Sequence, residues 1–137
     1  MGIEGVMKIG IATKNLDRTV AILADAFGLV PGEAIAYQPS GMRLRILKLE
    51  DFYIEVMEPT GTDGPIAQFI EQHGEGLQHM TLKVSDIEQV MADLKGKGAH
   101  FTASAPVKLN TAIGPMKFVF MTPRRSNGVL IQLMELL

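Results

Sequence analysis

From Leu77 to Val84 the chain reads Leu-Gln-His-Met-Thr-Leu-Lys-Val, with apolar and polar positions alternating as they must on a strand with one buried face. The same two-residue period returns at 42–48 and 52–58, two runs joined by the polar Glu50-Asp51 and predicted as an antiparallel hairpin. It returns again at 117–121 and 129–134, on either side of a turn at 123–128. A short apolar run at 5–13 leads to Asn15, a good N-cap, after which Leu16, Val20, Leu23 and Phe27 recur at helical spacing and Gly28 stops the helix. Residues 33–37 are predicted as a strand ending at the Pro39-Ser40-Gly41 turn. Residues 59–65, Pro-Thr-Gly-Thr-Asp-Gly-Pro, form a linker of breakers, followed by a short helix at 66–72 and a loop at 73–76. Beyond the strand holding His79, Ser85-Asp86 caps a helix at 87–97 whose Ile87, Val90, Met91 and Leu94 share a face, and Gly98 closes it. A weak strand at 100–103 and a long loop through Pro115 are expected before the last two strands.

Each half of the chain is therefore β-α-β-β-β, which predicts an α+β protein. The halves also align residue on residue. Lys8 falls on His79, Asn15 on Asp86, Leu16 on Ile87, and Ile54-Glu55-Val56-Met57-Glu58 on Ile131-Gln132-Leu133-Met134-Glu135, with loop length absorbing the difference in offset. In each half one polar residue stands in the middle of a strand at equivalent positions, Lys8 with His79 and Glu55 with Gln132. Strand parity puts Lys8 on the face of Gly10 and Ala12, and His79 on the face of Thr81. If the two modules curve round one cavity, all four polar side chains point into it. A buried ionisable group is costly unless partnered, so the four make more sense as a cluster than singly.

Composition narrows the function classes. The chain has 137 residues, 47% of them hydrophobic and 20% charged, enough for one ordinary domain with its own core and too apolar for disorder. A net charge of -2 with a single tight basic pair, Arg124-Arg125, argues against nucleic acid as a partner. Without cysteine there are neither disulfides nor thiolate metal sites. No apolar run approaches the roughly 20 residues a bilayer demands, and the first residues lack a basic n-region and an apolar h-region, so no membrane partner and a cytoplasmic location are expected.

The repeat and its motifs resemble the vicinal oxygen chelate superfamily, the glyoxalase, bleomycin-resistance and dioxygenase fold, and within it the methylmalonyl-CoA epimerase family. Lys8-Ile9-Gly10-Ile11-Ala12 stands where that family has His-Ile-Gly-Ile-Ala, and Ile54-Glu55-Val56-Met57-Glu58-Pro59 resembles its Ile-Glu-Leu-Leu-Glu-Pro. The stretch from Asp63 to Ile70, followed by Gly74-Glu75-Gly76-Leu77-Gln78-His79-Met80, is similar to its linker and paired histidines, with Gln78 in place of the first of the pair. Gly128-Val129-Leu130-Ile131-Gln132-Leu133 resembles its Gly-Gly-Val-Leu-Ile-Glu-Leu. The resemblance implies a single domain over 1–137, modules at about 5–58 and 77–137 joined by the linker helix region 59–76, and a curved mixed sheet of two βαβββ modules around a cavity. It also implies pairing as a homodimer.

In that family a divalent metal is held at four strand positions, which carry over to Lys8, Glu55, His79 and Gln132. Two of the four differ in chemistry: Lys8 is a cation, and Gln132 offers a neutral carbonyl but cannot act as a base. A site without a resident cofactor is therefore expected, in which Lys8, Glu55, His79 and Gln132 are the catalytic candidates. His79, Glu55 and the Gln132 carbonyl are the ligands available should Co, Ni, Mn or Zn bind. The implied activity is that of an epimerase, isomerase or lyase acting α to a carbonyl on an acyl-CoA or related acid. The alternative is a metal-free binding protein of the same fold that sequesters an apolar small molecule.

Plainer readings stand beside these. Lys8 could snorkel from a strand end, and His79 could be an ordinary satisfied core histidine. His73 and His100 are expected in solvent. Arg124 and Arg125 fit a surface turn, or the phosphates of a nucleotide-like arm at the cavity rim. The nine methionines are first of all core filler, and secondly an adaptable apolar lining.

Overall fold

A computed structural model of the chain describes residues 2–111, 113–124 and 126–137, and the chain divides into two compact units. The unit Lys8–Gln78 holds the end of β1 (Ile3–Ala12), then α1 (Leu16–Phe27), β2 (Ile35–Tyr37), β3 (Met42–Leu49), β4 (Phe52–Pro59) and α2 (Pro65–His73). Its strands lie in the order β2-β3-β4-β1, with β1 parallel to β4 and the remaining pairs antiparallel. The expected hairpin is present: Leu49 faces Phe52 across the Glu50-Asp51 turn.

Helix α1 starts and stops where its residues dictate. The Asn15 side chain accepts from the Arg18 N–H at 3.0 Å, and Gly28 takes φ 66°, a left-handed value that costs glycine nothing, while its N–H closes on the Ala24 carbonyl. Leu16 and Val20 of α1 are buried against Leu47 and Val56 on one face of this unit's strands. Ile66 and Ile70 of α2 cover Ala12, Leu44 and Met57 on the other.

The second unit comprises the chain up to Met7 and His79–Leu137, with β5 (Gly76–Val84), α3 (Ile87–Gly96), β6 (Val107–Thr111), β7 (Gly114–Met121) and β8 (Ile131–Leu136). Here the order is β5-β8-β7-β6, with β5 parallel to β8 and the other pairs antiparallel. Ile87, Val90 and Met91 of α3 pack on Val84, Val119 and Leu133. Across the base of α3 the Lys117 ammonium lies 2.7 Å from the Glu88 carboxylate, and this hydrogen bond lowers the Glu88 pKa and raises that of Lys117.

One expectation is corrected. The strand placed at 100–103 is only an isolated bridge between Phe101 and Met121, and the supposed long loop contains β6, paired from Val107–Phe118 to Thr111–Gly114. Val107-Lys-Leu-Asn-Thr carries two apolar residues on a largely exposed outer strand, so its alternation is too weak to read. Pro115, a breaker in a sequence reading, sits opposite Asn110 at the start of β7 instead.

The repeat extends to a detail that pattern reading missed. Glu58 at the end of β4 accepts from the Leu16 N–H at 3.2 Å, and its counterpart Glu135 in β8 accepts from the Ile87 N–H at 2.6 Å. In both units a strand carboxylate thus satisfies the first orphan N–H of the helix and complements the positive end of its dipole. Glu58 is in addition bonded to the Arg43 Nε at 3.1 Å. Among the described residues no helix is long and apolar enough to cross a membrane. Replacing Glu135 by Ala is expected to cost about 1 kcal/mol in urea denaturation, the scale of a lost helix cap, and Glu58→Ala somewhat more. Unchanged midpoints in both would show that the carboxylates do not hold the helices.

Candidate functional site

Lys8 is 4% exposed, which removes the reading of a lysine snorkelling from a strand end. In the parallel register of β1 and β4, Lys8 pairs with Tyr53 and Gly10 with Glu55, so Lys8 and Glu55 share a face but stand two positions apart along the strands, roughly 6.6 Å at strand rise. The lysine stem spans that diagonal, and its Nζ donates to Glu55 Oε1 at 2.9 Å. Gly10, opposite Glu55, contributes no side chain. Both side chains are nearly sealed from water, at 5% and 10% exposure, and the same face carries the apolar cluster of Ala12, Leu44 and Met57 under α2. An ion pair this dry owes little to solvent screening, and removing one partner leaves the other charge buried where Coulomb forces are strong.

In the other unit, His79 and Gln132 are 7% and 5% exposed and Thr81 is fully buried. Thr81 pairs with Gln132 in the parallel register of β5 and β8, and its hydroxyl donates to Gln132 Oε1 at 2.7 Å. Phe120 pairs with the same glutamine from β7 and meets the His79 ring edge-on, with centroids 5.5 Å apart at 86°. His79, Thr81, Gln132 and Phe120 are one group on one face. The roles of Thr81 and Phe120 were not singled out from sequence. The signal was present: Thr81 has the parity of His79, and Phe118 and Phe120 alternate along the predicted strand at 117–121.

The remaining candidates lie elsewhere. His73 is exposed at the end of α2, stacked on Phe69 at 4.7 Å, and His100 is exposed as expected. Arg124 is exposed in a turn, and Arg125 lies outside the described residues. Of the methionines, Met7, Met57, Met91, Met116, Met121 and Met134 are buried, in keeping with core filler.

The divalent metal that the resemblance implies can be tested against these donors. Lys8 has no lone pair to give and places a positive charge on Glu55, the only carboxylate among the four. The Gln132 oxygen, the atom a metal would take, already accepts from Thr81. No group of three or more His, Cys, Asp or Glu suited to a metal ion occurs among the described residues. The donor set does not fit the ion.

The fold and these strand positions define a class. The signature of the Glyoxalase/Bleomycin resistance protein/Dioxygenase superfamily matches residues 7–120, and the chain belongs to that superfamily. Within it the chain is methylmalonyl-CoA epimerase-like. It is 29% identical over 136 residues to the mitochondrial methylmalonyl-CoA epimerase of Dictyostelium discoideum, covering 98% of this chain and 80% of the relative. To an ethylmalonyl-CoA/methylmalonyl-CoA epimerase of Cereibacter sphaeroides it is 28% identical, over 91% of this chain and 92% of the relative. A Streptomyces coelicolor methylmalonyl-CoA epimerase variant, solved in complex with 2-nitronate-propionyl-CoA, superposes with a TM-score of 0.89 at 26% identity over 98% of this chain and 95% of that one.

The ion pair has a thermodynamic signature. Lys8→Met alone should cost about 3–5 kcal/mol, while Lys8→Met with Glu55→Leu should fall well short of the sum of the two single changes. A double-mutant cycle in urea reads this directly, and additive costs would mean that the two groups do not depend on each other.

Proposed function

We propose that the protein catalyses proton transfer at the carbon α to a thioester carbonyl, as an epimerase of a methylmalonyl-CoA-like acyl-CoA. The observation that carries the reading is a buried ammonium–carboxylate pair in mid-strand, within a chain similar over nearly its full length to proteins named as epimerases of methylmalonyl-CoA or ethylmalonyl-CoA. The C2–H bond breaks, its electron pair delocalises onto the thioester oxygen, and return of a proton to the other face inverts the centre. Epimerisation of this kind needs a cation near the oxygen and groups that exchange a proton with carbon. Of the four aligned residues, Lys8 supplies the cation and Glu55 and His79 the proton-transferring groups. Gln132, an amide, holds and orients and takes no proton. The protein acts as a homodimer in this reading.

Incubating 2-methylmalonyl-CoA with the protein in heavy water and following the C2 proton by NMR tests the proposal. Exchange well above the uncatalysed rate is expected, with loss on the order of 100-fold or more in Glu55→Gln or His79→Gln, the usual weight of a general acid or base. No exchange by the folded protein would remove the activity.

A further inference from the structure

Two positions, Lys8 and Gln132, depart in chemistry from the ligand set that the resemblance implies. Lysine in place of histidine adds a positive charge, and glutamine in place of glutamate removes a negative one. Neither change makes sense alone: the lysine would repel a metal that three ligands still held, and the glutamine would leave a metal short of an anion.

The structure shows what the first change achieves. The Lys8 ammonium is drawn 2.9 Å from Glu55 Oε1 on a nearly dry strand face, with one of its three N–H donors spent on that bond. A buried ion pair of this kind is a poor device for stability, since apolar residues of similar volume would hold the strands as well. What it provides is a cation fixed in place by the chain itself.

We propose that the Lys8 ammonium, anchored on Glu55, is the protein's built-in replacement for the divalent ion, so that its chemistry is independent of metal. The ammonium donates a hydrogen bond to the substrate's carbonyl oxygen and strengthens that bond as negative charge moves there from the broken C2–H bond. It keeps its own protons throughout. The substrate class this suits is an acyl thioester bearing a carboxylate or second carbonyl, whose α-proton is acidic enough for a single positive charge to suffice. Thr81 takes part by holding the Gln132 oxygen at 2.7 Å, which leaves the amide N–H groups as the face that glutamine offers to an anion.

The inference rests on the proton-transfer reading for its substrate, but not for its central claim, and the test separates the two. The purified protein is analysed for metal and titrated calorimetrically with Co, Ni, Mn and Zn ions in parallel with a Lys8→His/Gln132→Glu variant, and its exchange reaction is run with and without EDTA. The expected result is no saturable site in the natural protein, one per chain in the variant, and exchange untouched by EDTA. In Lys8→Gln, which leaves Glu55 in place and is checked for folding by circular dichroism, kcat for exchange should fall about 100-fold, the scale of a lost oxyanion donor. One tightly bound divalent ion per natural chain, loss of exchange in EDTA, or undiminished kcat in folded Lys8→Gln would each overturn the proposal. Failure of the natural protein to exchange the substrate would count against the proton-transfer reading alone, because the metal titrations still decide the cation.

Discussion

The structure turns on the requirement that a charge taken out of water be met by its opposite. Strand parity aims Lys8 at the same buried face as Gly10 and Ala12, a face that in an ordinary strand would hold only apolar residues. It is tolerable there because β4 runs parallel beside β1 in a register that puts Glu55 two positions along, within reach of the lysine stem. A shift of one residue in that register would turn Glu55 to the side packed by α1, with Val56 in its place. The pair therefore fixes alignment as well as charge, and the hairpin of β3 and β4 carries that alignment outward, with Ile46 opposite Glu55 and Leu44 opposite Met57.

The same economy governs how each helix meets its strands. Glu58 and Glu135 close the α1 and α3 N-termini from the ends of β4 and β8, so the strands that bring Glu55 and Gln132 to mid-strand also clamp the helix that follows the neighbouring strand. The capping glutamate follows the mid-strand polar group at the third position in each half, an odd step along the strand. By parity the two side chains lie on opposite faces, one toward the helix and one away from it. A duplicated half-chain can alter the polar residue without disturbing the cap, and the two halves differ in just that way: Glu55 against Gln132, with glutamate kept at both 58 and 135.

Much of this was legible beforehand because it rests on local rules. Asn15, Gly28 and Asp86 mark helix ends with side chains or dihedrals that carry their own mechanism, and the alternation of 42–48 and 52–58 admits one hairpin register. The parity of Lys8, Glu55, His79 and Gln132 predicted four buried polar groups, and all four are buried. What failed was β6, where pairing is decided by β7 rather than by the residues of 107–111 themselves. The Thr81–Gln132 bond and the two glutamate caps were equally out of reach, because each joins residues 42 to 51 positions apart and only a register brings them together.

Within each unit the mid-strand polar group is met by a neighbour of that same unit. Glu55 meets Lys8 because the parallel register of β1 and β4 sets the two within the lysine's reach. Gln132 stands directly opposite Thr81 across β5 and β8 and accepts from its hydroxyl, so the amide is satisfied by a neutral donor where Glu55 calls for a cation. The two halves therefore solve the same problem, a polar side chain on a buried strand face, with a charge pair in one and a neutral hydrogen bond in the other.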